Sequence, residues 1–172
     1  MCYRAPDFHL RRLRTSFMSA PAQNAAPLTY DELVPGMRVD SPAVDLDQAM
    51  VEAFASLTGD DNPLHLDAEH AARTPFRKRI AHGALVQSLA AGLAWRTGWF
   101  TGTIVAIERT SARYLKPVVP PEQLRLRLEV VGREAEPHPR RGRVDLRLTL
   151  RDRRDETVLE GDWTVLMRRA GG

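Results

Sequence analysis

Cysteine is almost missing from this 172-residue chain: Cys2 stands alone, so no disulfide can form within it. A lone thiol so near a terminus is a poor candidate nucleophile, and the scarcity points to a reducing compartment, here read as the cytoplasm. Long apolar runs are also missing. No segment supplies the roughly 20 consecutive apolar residues of a membrane span, and residues 1–20 hold no apolar run of signal-peptide length, so no membrane association is expected. A surplus of one charge is missing as well, despite a formal net charge of +3. Within residues 1–18, Arg4, Arg11, Arg12 and Arg14 against Asp7 account for all of it, leaving 21 basic and 21 acidic groups in the remaining 154 residues. A balanced body of this kind excludes a generic polyanion binder, and no nucleic-acid partner is expected.

What is present fits one globular domain. A hydrophobic share of 43% and a charged share of 27% are near the averages for folded proteins, and the length suits a single core. Residues 1–26 are rich in Arg, then in Ala, Pro, Gln and Asn without periodicity, and are expected to be a poorly ordered extension ahead of one domain over 27–170. Met18 is a plausible alternative start.

Along the domain, Pro35-Gly36 marks a turn before a candidate strand from Met37 to Val44. Asp47 is placed to cap a helix whose apolar face is Met50, Val51, Phe54, Ala55 and Leu57, with Gly59 as its stop. A short helix is expected over Asp67 to Arg73. From Ile80 to Trp95 the chain is apolar almost all round and slim with alanine, which predicts a long helix enclosed by protein. Four stretches then alternate with period two: Ile104 to Tyr114, Leu124 to Val131, Val144 to Leu150 and Val158 to Met167. One-sided strands of this kind build an antiparallel sheet with a dry and a wet face. The prediction is an α+β protein, an antiparallel sheet wrapped around one long buried helix.

The chemistry concentrates before that helix. Gly59-Asp60-Asp61-Asn62-Pro63 has the makings of a tight turn, because Gly accepts positive φ, Asx side chains bond their own backbone, and proline keeps the preceding residue extended. Such a turn lets Asp60 and His65 reach one water molecule, the carboxylate accepting a proton or orienting the ring while the imidazole exchanges protons. Taken singly, each has a plain alternative: Asp60 as a turn former, His65 as a hydrogen-bonded core residue. A metal site is the rival reading, with Asp60, Asp61, His65, Asp67, His70 and His82 as candidate ligands. The spacing of His65 and His70 argues against it, since it misses the four-residue step that places two ligands on one helical face. His82 and Gly83 open the long helix, where free amides carry partial positive charge and glycine admits a close approach by an oxyanion. Close helix–sheet packing would equally account for Gly83, and His82 could be a core residue or a pocket wall.

Thr58-Gly59-Asp60-Asp61-Asn62-Pro63-Leu64-His65, then Phe76, then Ile80-Ala81-His82-Gly83-Ala84-Leu85, closely resembles the signature of the MaoC-like (R)-specific enoyl-CoA hydratases of the hotdog superfamily. The likeness extends more loosely over Leu28 to Arg168 and includes Lys116-Pro117-Val118. It implies a hotdog fold, an acyl-CoA thioester substrate, Asp60 and His65 as the catalytic dyad, and the Gly83 amide as oxyanion donor. It further implies that Asn62 braces the loop, that His82 supports the site, and that the chain forms a homodimer or higher homo-oligomer. No metal or redox cofactor is implied; coenzyme A enters as part of the substrate. Thr58, Ala84 and Ala91 depart from the family pattern, the last two at positions that set pocket width. Arg77, Lys78 and Arg79 are candidates for holding coenzyme A phosphates, although a solvated turn accounts for them as well. Two alternatives stay open: a hotdog thioesterase, whose acid usually lies on the long helix where Ala84 to Ala94 has none, and a non-catalytic acyl-thioester-binding subunit.

Overall fold

The computed structural model describes residues 26–171. The expected disordered extension therefore lies, but for its last residue, outside the described residues. Seven strands, β1 (Arg38–Asp40), β2 (Val44–Leu46), β3 (Ile104–Thr110), β4 (Arg113–Tyr114), β5 (Glu122–Arg133), β6 (Arg141–Arg151) and β7 (Thr157–Arg168), form an antiparallel sheet in the order β1-β5-β6-β7-β3, with β2 on β5 and β4 on β7. Four helices accompany them: α1 (Gln48–Thr58), α2 (Pro63–Leu66), α3 (Ala68–Ala72) and α4 (Gly83–Arg96).

Period two governs the sheet as the alternation predicts. Leu126 pairs with Leu150, Leu128 with Leu148 and Val130 with Leu146, and every one of these side chains is buried. On α4, Leu85, Val86, Leu89, Ala90, Leu93 and Ala94 face this layer. Fully burying each larger aliphatic of the set contributes about 1.5–3 kcal/mol, so the helix–sheet contact is a substantial part of the core. The opposite face of α4 is not enclosed. Ala84, Ser88 and Gly92 lie open, and Trp95 is 53% exposed, so the helix predicted to be wrapped on all sides is wrapped on one.

Three boundaries differ from the sequence pattern, each for a local reason. The expected strand from Met37 to Val44 is broken at Ser41-Pro42-Ala43: Ser41 N–H donates to the Leu126 carbonyl while Ser41 Oγ accepts from Leu126 N–H, and proline has no N–H to continue the ladder. The stretch Ile104 to Tyr114 is interrupted at Ser111-Ala112, where Ser111 N–H donates to the Asp162 carbonyl and Ser111 Oγ accepts from Asp162 N–H, and pairing resumes in the same register at Arg113. The apolar run from Ile80 is longer than the helix: α4 begins at Gly83, where His82 and Gly83 are expected to open it, because Ala81 N–H donates to the Val118 carbonyl and the Ile80 carbonyl accepts a side-chain bond. Near the chain ends, Asp31 accepts from Arg169 Nε and Nη2 and from Ala170 N–H, fastening the entry segment to the strand exit. Hydrogen bonding to Arg169, with the Ala170 amide next, holds the Asp31 carboxyl below its ordinary range. Among the described residues no helix is long and apolar enough to cross a membrane.

Candidate active site

Helix α1 delivers the first functional side chain. Asp47 Oδ1 accepts from Met50 N–H at 2.9 Å at its start, and at its end Gly59 takes φ 78° while its N–H bonds the Ala55 carbonyl. A left-handed residue costs glycine little, so the helix stops there and the chain turns out at Asp60. Asn62 then accepts from Leu64 N–H at 3.0 Å and caps α2, with Pro63 in its first turn. His65 therefore sits on a one-turn helix instead of the loop that the sequence indicates. This turn holds its backbone rigidly: His65 N–H donates to the Asn62 carbonyl, and Gln48 Nε2 donates to the His65 carbonyl at 3.0 Å.

The His65 ring is buried, and its Nδ1–H donates to the Ile80 carbonyl at 2.8 Å. That bond selects the tautomer with Nε2 unprotonated and available as an acceptor. His82 stacks against His65 with ring centroids 3.8 Å apart, and Phe54 closes the other side at 5.1 Å. His82 Nε2–H donates to the backbone carbonyl of Asp60 at 2.9 Å, a link across 22 residues that ties the Asp60 turn to the head of α4. The Asp60 side chain is exposed, and among the described residues its carboxylate makes no hydrogen bond or ion pair.

A cavity of about 370 Å³ opens beside this cluster, lined among others by His65, Phe76, Ile80, Gly83, Tyr114 and Lys116. Its inner end meets the first turn of α4, where no side chain caps the helix and the Gly83 amide has no intrahelical acceptor. Across from it the Tyr114 ring lies so close that a Cβ on Gly83 would stand 3.0 Å from its Cε1, and the phenol donates to Gln87 Oε1 at 3.0 Å. A buried imidazole and a helix N-terminus thus share one partly apolar recess; Asp60 is not on its wall, but one of its carboxylate oxygens lies within 4.8 Å of a ring nitrogen of His65. This arrangement can hold water beside an unsaturated thioester and receive negative charge on its oxygen.

Asp60, His65, Gly83, Asn62 and His82 are gathered at this end of the fold. Arg77, Lys78 and Arg79 are not on the cavity wall: Arg77 Nη1 donates to the Ala72 carbonyl, Arg79 Nη1 to the Leu66 carbonyl, and Lys78 lies exposed. The cation on the wall is Lys116, paired with Glu156 at 2.7 Å. Sequence reasoning placed no function on Tyr114 or Lys116. The available signal was the Lys116-Pro117-Val118 step, which follows the strand that crosses in front of α4. Of the metal candidates, Asp60, His65 and His82 come together, while Asp61, Asp67 and His70 do not join them. Asp67 instead caps α3, accepting from Glu69 and His70 N–H.

An antiparallel sheet cradling one helix is the hotdog fold, and here an acid and two histidines gather at the helix head. The model of the MaoC-like domain matches residues 31–150, and the chain belongs to the MaoC-like dehydratase family. It is 32% identical over 121 residues to a 3-hydroxybutyryl-CoA dehydratase of Methylorubrum extorquens, covering 70% of this chain and 73% of that one. Over 45 residues it is 56% identical to an (R)-specific enoyl-CoA hydratase of Aeromonas caviae, 26% of this chain and 34% of the relative. Among solved structures, the unliganded R-hydratase PhaJ1 of Pseudomonas aeruginosa superposes with a TM-score of 0.69 at 30% identity, covering 84% of this chain and 88% of that one.

Proposed function

We propose that this chain is an (R)-specific enoyl-CoA hydratase, adding water across the double bond of a trans-2-enoyl-CoA to give an (R)-3-hydroxyacyl-CoA. The observation that carries the reading is the orientation of His65: its Nδ1–H is committed to Ile80, which leaves Nε2 as an acceptor, while Asp60 brings a carboxylate oxygen within 4.8 Å of the ring and Gly83 lines the same cavity as His65. Asp60 and His65 hold a water and remove its proton as the oxygen attacks C3. The electron pair of the double bond moves to the thioester, whose oxygen gains negative charge and is stabilised by the Gly83 N–H at the positive end of α4. The dyad then returns a proton to C2 on the same face, so no atom or electron is left over. The family relationship and the names of the relatives support this reaction class. The absence of any Asp or Glu between Ala84 and Ala94 favours it over thioester hydrolysis by an acid on the helix.

The active form is a homodimer. Strand β3 ends the sheet with its outer edge unpaired among the described residues, Val105 and Ile107 on it are 48% and 43% exposed, and α4 leaves a bare stripe ending at Trp95. A second copy covers an exposed edge and an apolar face of this kind by symmetric contact. The direct test follows loss of the enoyl thioester absorbance with crotonyl-CoA for the native chain, Asp60→Asn and His65→Gln. Either substitution is expected to lower kcat by about 10²–10⁴-fold, as for loss of a positioned acid or base. Full activity in both variants removes the dyad.

A further inference from the structure

Asp60, His65 and His82 are separated in sequence by five and seventeen residues, yet one donor atom from each lies within 4.8 Å of the other two. Both imidazoles spend one ring nitrogen on a backbone carbonyl, His65 Nδ1 on Ile80 at 2.8 Å and His82 Nε2 on Asp60 at 2.9 Å. An imidazole anchored through one N–H in this way is fixed in orientation and tautomer, with the second nitrogen left as a lone-pair donor. Metal-binding histidines are held by the same outer bonds. His82 is 1% exposed, and its Nδ1 is buried with no partner among the described residues.

We infer that Asp60, His65 and His82 form a capture site for a divalent transition-metal ion of the zinc type, and that the ion blocks the site instead of assisting it. Two imidazoles and one carboxylate suit zinc or cobalt; magnesium and calcium prefer sets made of oxygen alone. Bonds of about 2.0–2.2 Å place the ligand atoms of a tetrahedral ion roughly 3.4 Å apart, so from the 4.8 Å limit the cluster has to contract by at most about 1.4 Å. Asp60 is the member free to move, being exposed and bound through its side chain to nothing among the described residues. An ion about 2 Å from a nitrogen also needs less room than a hydrogen-bonded water at about 3 Å, so a nitrogen closed to water remains open to a metal. Binding follows from the cluster alone. Inhibition rests on the hydratase reading, because the ion takes the lone pairs that would otherwise activate water.

The test titrates the full chain with cobalt(II) chloride and follows visible ligand-field absorption, with Asp60→Asn and His82→Gln in parallel and circular dichroism to confirm that both variants fold. One ion per chain is expected, displaced by zinc, and held at least about tenfold more weakly by either variant. No saturable signal at millimolar cobalt, or native affinity in both folded variants, overturns the site. Hydration of crotonyl-CoA, measured against zinc and then with excess EDTA, is expected to fall along the binding curve and recover. Saturable cobalt binding without hydration at any metal level keeps the ion site and removes the hydratase reading. Hydration unaffected by saturating zinc removes the inhibitory role.

Discussion

Gly83 separates a structural from a chemical role at the head of α4. In Gly83→Ala the new Cβ lies 3.0, 3.1 and 3.4 Å from Cε1, Cζ and Cδ1 of Tyr114, inside the 3.5–4.0 Å optimum for carbon contacts. The ring is 51% exposed and has room to swing, at the cost of its hydrogen bond to Gln87, about 0.5–1.5 kcal/mol. Alanine favours a helix over glycine by at most about 1 kcal/mol, and by less in the first turn, so the two effects nearly cancel. Net stability is expected to change by less than about 1 kcal/mol, a Tm shift of no more than about 2–4 °C. Activity behaves differently, because the methyl stands beside the amide that receives the thioester oxygen and drives the Tyr114 ring into the cavity. The N–H itself is kept, so the loss comes from hindered approach and is expected to reach at most about 10²–10³-fold, the cost of removing one oxyanion donor. Thermal melts and crotonyl-CoA hydration on the same preparation separate the two. Native kcat in a folded Gly83→Ala refutes the requirement for a close, glycine-sized approach to this amide. A cycle with Tyr114→Ala is expected to show a coupling of about 0.5–1 kcal/mol in stability, and strict additivity would refute the packing argument.

Four further outcomes follow from the same geometry. His82→Leu removes the donor that ties Asp60 to α4 and is expected to lower kcat about tenfold or more, with His82→Gln recovering part of it through its amide N–H; equal losses in both variants would mean that the link does not position Asp60. Gly161→Ala places a Cβ 2.2 Å from the Ser111 carbonyl oxygen, a backbone atom with no rotamer to yield, and is expected to destabilise by about 3 kcal/mol or more in urea unfolding. Asp31 is held below its ordinary range by Arg169, so its stabilisation is fully present above the unfolded carboxylate value and is lost as pH falls through the lower folded value. Urea midpoints measured from pH 5 downward should decline less steeply for Asp31→Asn than for the native chain, and parallel slopes would count against the pairing. Size-exclusion chromatography with light scattering should give at least twice the 19.3 kDa chain mass, and Ile107→Lys on the β3 edge should shift it toward one chain; a native preparation at a single chain mass refutes the dimer.

Local chemistry in the sequence determined much of this molecule. Alternating apolar residues in the second half specify strands with one dry face, Asp47 and Gly59 delimit a helix, and Asn62-Pro63 starts the next turn, because caps, turns and period-two burial depend on neighbours only a few residues away. The nearness of Asp60 to His65, within 4.8 Å between donor atoms, was legible for the same reason. Tertiary structure alone decided the rest. The apolar residues Ile80 and Ala81 stay outside α4 because they give their backbone groups to His65 and Val118, partners 15 and 37 residues away. His82 was visible as a histidine at a helix start, but its bond to Asp60, its stacking on His65 and the cluster they form depend on how α4 packs against the sheet. Tyr114 over Gly83 and the bare outer face of α4 likewise come from a strand crossing in front of a helix. No periodicity along the chain encodes such a crossing, because contacts across large separations are selected by packing of whole elements.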